Sequence, residues 1–372
     1  MSFMRLNCKP LSWSKYVTKN KKKTLVIMLT IILGVFLLVI TKMIIFSIQT
    51  NVYSAWAKPF ENLSAIVPIQ KNFNLNSKYN IHDTYNMHDT YIDKIFITGA
   101  TGRISTYSFF VKNSDLAFIC NKINVKLIKG SFPKAGTNQI VIHKSIATNK
   151  GLHIGDYIGK EKDNRESLLG SYLIVGIVDS DAVISIGDYN YYKKKNPIAN
   201  SGYIFDKKLY QFNADKDGTS YNMYTYEKES NDIKKYGSIL ILSMNILSIF
   251  IYTIVGFFII CMIYVFYNQR KREFGILMAI GYSSDFLIIR CLKEISSMVL
   301  SGGLLGIFVG LFTGEILNIT IFKSWGQILT VFNMNYLLEP LILMILLILT
   351  SLIIVSSIVK KVDCISLIEG ES

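Results

Sequence analysis

Two histidines and two aspartates recur six residues apart in one short segment and could act as metal ligands. The segment HDTYNMHDTY covers His82–Tyr91, and each HDTY copy offers an imidazole and a carboxylate. Zinc sites use these groups, but they bring three or four ligands together at closer spacing. A metal site at His82 and His88 therefore stands beside a plainer interpretation, a small duplication in a solvated loop or edge strand.

A second segment, Gln269–Gly281 (QRKREFGILMAIG), combines basic residues and a carboxylate with apolar positions and two glycines. It lies between two long apolar runs and is too polar to cross a membrane itself. A short basic amphipathic helix is typical of a segment that lies along a membrane surface. On the cytoplasmic side, a soluble partner can press on such a helix, and the helix can pass that push to its neighbours.

The chain shows no recognisable catalytic constellation. Its four histidines are scattered, and no Ser-His-Asp set or carboxylate pair has a convincing context. The phosphate-binding pattern GxxxxGK[ST] does not occur, so the chain cannot cradle a nucleotide in that manner. Five cysteines without a CxxC pair give no zinc or redox motif. We expect no catalysis and no cofactor bound by this chain.

Composition places these segments in a membrane protein. The 372 residues are 51% hydrophobic, and their mean hydropathy is +0.34. About 20 apolar residues span the ~30 Å hydrocarbon core of a bilayer, and four runs qualify. The predicted fold class is an α-helical membrane protein with four transmembrane helices and a large α+β extracytoplasmic domain inserted between helices 1 and 2. The predicted segments are 1–23 (basic N-terminus), 24–48 (helix 1), 49–236 (domain), 237–267 (helix 2 with a stalk), 268–292 (loop with a short helix), 293–318 (helix 3), 319–335 (short outside loop), 336–359 (helix 4) and 360–372 (tail).

The formal charge of +14 is concentrated on one predicted side of the membrane. Basic residues without acidic ones fill the N-terminus, and others follow helix 2 at Arg270–Arg272 and helix 4 at Lys360 and Lys361. The positive-inside rule then puts both termini and the middle loop in the cytoplasm of a multi-pass protein, with a bacterial plasma membrane as the expected location. This placement leaves no basic stripe for nucleic acid. We interpret helix 1 as retained and not as a cleaved signal, with Lys42 snorkelling to the headgroups.

Helix 3 carries glycines four residues apart, a pattern that lets helix backbones approach closely. The face consists of Gly302, Gly306, Gly310 and Gly314, and both packing within the chain and a dimer interface are open interpretations. Near the start of this helix, Glu294 has two interpretations as well. It can contribute to coupling, or it can pair with Arg290 one turn earlier.

The domain between helices 1 and 2 shows short strands separated by turn signals. Gln139–His143, Ser171–Val178 and Gly202–Phe205 are predicted strands with many β-branched or aromatic residues. A small helix is expected to end at Gly151, and the charge run Lys193–Lys195 is expected in a solvated loop. Strands gathered from distant segments around short helices indicate an α+β domain.

The segment between helices 2 and 3 and the domain before helix 2 both resemble FtsX/MacB-type ABC transporter permeases. The signature is basic-Glu-x-Gly-Ile-Leu-x-Ala-x-Gly, then a Glu before a glycine-rich helix, and REFGILMAIG with Glu294 follows it. The domain segment LIKGSFPKAGTNQIVIHKSIATNKGLHIGDYIG, followed by YLIVGIV, is similar to the MacB-type extracytoplasmic core. The tail departs from the family ending, because Cys364 replaces a proline and Glu369 stands where a basic residue is common.

The resemblance implies a permease that works with a separate ATP-binding cassette ATPase subunit and a second permease copy or paralogue. ATP is then bound by the partner, and Arg270–Gly281 is the coupling helix seated in a groove of that ATPase. The implied coupling residues are Arg270, Arg272, Glu273, Gly275, Ile276, Leu277, Ala279 and Gly281, with Glu294, Gly302, Gly306 and Gly310 as coupling or packing positions.

Three functions are open at this point. The leading one is ATP-driven export or extraction of an amphipathic cargo, such as a peptide, lipoprotein or antimicrobial, from a membrane whose lipids surround the helices. The second is a signalling permease that controls cell-wall hydrolases, a group in which the outside domain is generally smaller. The third, from another class, is a membrane sensor or scaffold that works without an ATPase.

Overall fold

The computed structural model describes residues 21–69, 87–99, 102–206, 221–236 and 238–361. Their helices are α1 (Lys21–Trp56), α2 (Leu116–Lys122), α3 (Lys144–Lys150), α4 (Tyr189–Lys195), α5 (Tyr226–Tyr236), α6 (Ser238–Asn268), α7 (Lys271–Ala279), α8 (Ser284–Leu317) and α9 (Met334–Lys360). Their strands are β1 (Ser64–Pro68), β2 (Met87–Gly99), β3 (Gly102–Val111), β4 (Lys126–Gly130), β5 (Gln139–His143), β6 (Tyr157–Ile158), β7 (Tyr172–Asp179), β8 (Ile184–Asp188), β9 (Gly202–Phe205) and β10 (Tyr221–Tyr224).

The chain divides into two compact units. The described parts of Met1–Ile44, Ser243–Ile316 and Thr330–Ser372 form the first, here called the membrane unit. The described parts of Ile45–Leu242 together with Leu317–Leu329 form the second, here called the sheet unit. The fold is therefore the predicted one, a set of membrane helices with a sheet-rich α+β domain between the first and second.

Four of the described helices are long and apolar enough to cross a membrane, and they are the four that the hydropathy runs predicted. The third of them, α8, begins at Ser284, although the predicted helix 3 begins at residue 293. Its first turns contain the charged residues Arg290, Lys293 and Glu294, so they do not belong to an apolar run. Their helical pattern is intact, because Leu287 and Cys291 are both buried on one face.

The strands of the sheet unit form one mixed sheet in the order β10-β1-β9-β2-β3-β8-β5-β7-β4, with β6 beside β7. Most neighbouring strands are antiparallel, but β3 pairs with β8, and β5 with β7, in parallel. The predicted strands Gln139–His143 and Gly202–Phe205 have those bounds, and the predicted Ser171–Val178 is found at Tyr172–Asp179.

Both faces of the sheet are covered by core residues. In β3, Phe109 and Val111 belong to one buried cluster, whereas Phe110 between them belongs to the other. The same alternation divides Val141 from Ile140 in β5. Because successive side chains of a strand point to opposite faces, a strand with two buried faces reads as a continuous apolar run.

Residues 317–329, most of which the sequence placed in a short outside loop, belong to the sheet unit and are held there by two asparagines. The Asn149 amide donates to the Trp325 carbonyl oxygen at 2.6 Å. Asn51 donates to the Ile328 carbonyl oxygen at 3.0 Å and accepts from its N–H at 3.3 Å. Side-chain hydrogen bonds to the backbone of this loop therefore fix it as an ordered part of the domain.

The run Lys193–Lys195 was expected in a loop, and that prediction is wrong. It forms the last turn of α4, where basic side chains interact favourably with the helix dipole. The helix begins because the Asp188 carboxylate caps it by accepting the Tyr191 N–H at 2.8 Å. Buried Tyr192 then anchors it to the sheet.

His143, the last residue of β5, gives the sheet unit a pH-sensitive position. Its Nδ1 accepts the Ser145 N–H at 3.1 Å and so caps α3, and the residue is 4% exposed. Burial lowers the pKa of His143 to about 4, against a smaller opposing effect of Asp179. Between pH 6.5 and 4 the unfolded chain binds this proton and the folded chain does not, so folding stability falls as the pH falls.

We expect the wild type to lose about 3 kcal/mol more stability than His143→Asn between pH 7 and pH 4, because about 2.5 pH units at 1.36 kcal/mol each are at stake. Asparagine keeps an N-cap acceptor and cannot titrate. Equilibrium unfolding of the full chain at several pH values measures the difference. Burial also raises the pKa of Asp93 and Glu229, but their contributions cancel in the comparison because both proteins keep them. Parallel pH profiles for the two proteins would contradict the prediction.

Candidate functional site

Nine residues, Lys271–Ala279, form α7 in the turn between α6 and α8, within the predicted segment Arg270–Gly281. Glu273 lies in its first turn, where a carboxylate interacts favourably with the helix dipole. Gly281 ends it with φ of +104°, a conformation that glycine adopts without strain. A helix this short is marginal by itself, so packing has to hold it in place.

The two faces of α7 differ in exposure. Phe274 and Gly275 are buried against the membrane unit. The opposite face presents Ile276 at 52% exposure, and Ile280, just past the helix end, is 71% exposed. Arg272, Glu273 and Ala279 are exposed beside Ile276, Leu277 is half-buried, and Gly281 beyond the helix end is exposed. An exposed pair of isoleucines four residues apart, flanked by charges, is a surface suited to a protein groove.

Arg270 differs from its predicted role as a contact for a soluble partner. Its side chain is only 6% exposed. The guanidinium Nη1 donates to both carboxylate oxygens of Glu294, at 3.2 and 3.0 Å, and Nε donates to Glu273 at 3.1 Å. The cation is therefore turned into the membrane unit, where a docking protein cannot reach it.

The suggested pair of Glu294 with Arg290 is not the one observed. Glu294 is fully buried, and its carboxylate turns across to Arg270 on the neighbouring turn. Arg290, one helical turn earlier, could pair with Glu294, but tertiary packing brings Arg270 closer to the carboxylate. Sequence spacing alone finds only the first of these partners.

The glycine face of α8 packs within the chain. A Cβ built on Gly306 would lie 2.8 Å from the Ile32 carbonyl oxygen and 2.9 Å from the Val35 Cβ in α1. The other glycines meet α1 in the same way, so residues four apart on one helix face residues four apart on the other. The successive partners are Ile31 for Gly302, Val35 for Gly306, Val39 for Gly310 and Met43 for Gly314.

The candidate metal ligands fall partly outside the described residues, since His82 and Asp83 lie there. Of the second copy, His88 Nδ1 is 3.2 Å from an Asp115 carboxylate oxygen, and Asp89 pairs with the Lys112 ammonium. Within the described part of the chain, no three His, Cys, Asp or Glu residues are grouped as a metal site would need.

Two features of the site escaped the sequence interpretation: the exposure of Ile280 and the inward direction of Arg270. A signal for the second was present, because Phe266, Tyr267 and Phe274 lie four before, three before and four after the arginine. At helical spacing these rings fall around one position and can enclose a cation.

Comparison with known proteins finds a similarity in the C-terminal part. Residues 245–363 match the family described as FtsX-like permease C-terminal. No curated protein matches the chain. The periplasmic region of MacB from Actinobacillus actinomycetemcomitans is 10% identical with a TM-score of 0.28, over 48% of this chain and 95% of that one. The extracellular domain of the noncanonic ABC-type transporter YknZ from Gram-positive bacteria is 8% identical with a TM-score of 0.26, over 44% and 100%.

Proposed function

We propose that this bacterial membrane protein is the permease subunit of an ABC transporter, driven by a separate ATPase that docks on α7. The match of residues 245–363 to the family described as FtsX-like permease C-terminal supports the proposal. The observation that carries the proposal is the exposed apolar and charged face of α7, held between two membrane helices. Since the sequence has no P-loop pattern, the hydrolysing site belongs to the partner.

The proposed topology puts α7 and both termini in the cytoplasm and the sheet unit outside the plasma membrane. The distribution of basic residues supports it, because the N-terminus, the α7 region and the end of α9 are all rich in lysine and arginine. In this proposal, nucleotide binding and hydrolysis by the partner move the sheet unit.

The test is co-purification of the permease with an ATPase encoded beside it, using Ile276→Asp as the disrupting variant. A charge placed in a buried apolar contact removes an interface hot spot, so we expect binding to weaken about 30-fold or more, from a cost of ~2 kcal/mol. The matched control is Ile198→Asp in the sheet unit, at an isoleucine that is 81% exposed. Recovery of the wild-type permease alone, or equal binding by both variants, would favour a scaffold that needs no ATPase.

We further propose that the cargo is an amphipathic peptide or lipoprotein in the outer leaflet. The large sheet unit supports this over control of cell-wall hydrolases. Deletion of the gene is expected to change sensitivity to membrane-active peptides. Altered cell-chain morphology with unchanged peptide sensitivity would instead support the signalling function.

A further inference from the structure

We propose that Arg270 is a positioning residue that locks α7 to α8, so that a push on α7 is delivered to the third membrane helix. The inference rests on the proposed function for the source of the push. It departs from the family interpretation of Arg270 as a contact for the ATPase, and it assigns a role to Glu294.

The lock joins three helices through one side chain. Arg270 stands at the N-cap of α7, and its guanidinium holds both oxygens of Glu294 in α8. The rings of Phe266 and Tyr267 in α6 lie 5.5 and 5.3 Å from the guanidinium carbon, and the ring of Phe274 in α7 lies at 5.3 Å. The cation is thus enclosed by rings of two helices and neutralised by a third.

Burial makes this arrangement all or none. Glu294 is 0% exposed and Arg270 is 5% exposed, so neither charge can exchange its partner for water in place. Separating the two helices leaves the buried Glu294 carboxylate without its counter-charge, even though Arg270 keeps Glu273. That is a larger penalty than breaking a surface pair. Separating α7 from α8 is therefore costly, and the two helices are expected to move together.

The covalent connection between α7 and α8 is, by contrast, compliant. Only Ile280–Ser283 separates the two helices, and Gly281 there has φ of +104°. A glycine in this region can change its backbone angles at little cost, so the loop alone would let α7 tilt without carrying α8. The ion pair bridges the two helices in parallel with the loop and removes that freedom.

If Arg270 and Glu294 lock α7 to α8, some variants should change stimulation of the ATPase without changing its affinity for the permease. With permease and ATPase in nanodiscs, Glu294→Gln should leave ATPase affinity within about twofold and lower stimulation of hydrolysis at saturating ATPase roughly tenfold, within the usual range of coupling between sites. Arg272→Gln, on the exposed face, should weaken affinity instead. Lys293→Gln, an exposed charge beside Glu294, should change neither. Loss of affinity in Glu294→Gln, or unchanged stimulation, would overturn the proposal.

A second readout needs no ATPase and so separates this inference from the proposed function. Spin labels on Ala279→Cys and Ile289→Cys, both exposed, report the distance between α7 and α8. We expect a narrow distribution in the wild type and a broad one with Glu294→Gln. If Glu294→Gln does not fold, Arg270→Lys keeps the charge, gives up the planar fork, and carries the same test. A distribution that stays narrow in these variants would refute the lock even if the ATPase never binds.

Discussion

Gly306→Leu is expected to destabilise the membrane unit by about 1–3 kcal/mol, the usual cost of forcing a side chain into a filled contact. A Cβ on Gly306 would already press on the Ile32 carbonyl oxygen, which is backbone and cannot rotate away. The remaining atoms of leucine would have to displace Val35 and separate α8 from α1. The unfolding temperature of the purified protein in detergent measures the loss.

The matched control is Gly256→Leu in α6, where a Cβ would meet no atom of the chain within 4 Å. Leucine is a better helix former than glycine by roughly 0.5–1 kcal/mol, so this variant should be neutral or slightly stabilised. Equal stability of the two variants, with loss of an oligomer only in Gly306→Leu, would restore the alternative in which the glycine face joins two copies.

Local patterns predicted the elements of this fold, but not the contacts between them. Gln139–His143 was predictable because its β-branched apolar run directly follows a stretch of turn residues. Its neighbours were not, since β8 and β7 are supplied by distant segments and no local pattern encodes which strand pairs with which. The end of α1 was missed for a related reason. Residues 49–56 are too polar for a membrane helix, yet buried Ala55 and the Trp56 hydrogen bond to Ser105 continue it into the sheet unit.

The candidate site shows the same division. The exposed face of α7 could be predicted, because a short amphipathic segment that ends at a glycine is visible in the sequence. The inward turn of Arg270 depends on a carboxylate 24 positions away in another helix. A cluster of arginine and lysine after a membrane helix looks uniform in sequence, and only packing separates the residue that holds the structure from those that face outward.

Lys42, Glu339 and Tyr252 form a polar cluster, and they too come from three helices that are distant in the sequence. The Lys42 ammonium, which we expect to snorkel to the headgroups, is 3.0 Å from a Glu339 carboxylate oxygen, and the Tyr252 hydroxyl donates to the other oxygen. Lys42 lies 21 residues from the start of α1 at Lys21, and Glu339 lies 21 residues from the end of α9 at Lys360. Both are therefore about 32 Å along their helices from the basic ends, which is close to the far boundary of a bilayer.

Lys42→Met is accordingly expected to cost about 1–3 kcal/mol, between the cost of breaking an exposed ion pair and that of breaking a buried one, because Glu339 loses its counter-charge. Glu339 is 39% exposed and Lys42 15% exposed at the side chain, so the loss should stay below that of a fully buried pair. The double variant Lys42→Met with Glu339→Leu removes both charges and should recover much of the loss. A double-mutant cycle on unfolding in detergent gives the coupling between them. Additive single effects would show that the two side chains stabilise their helices independently, and that this pair does not hold α1 to α9.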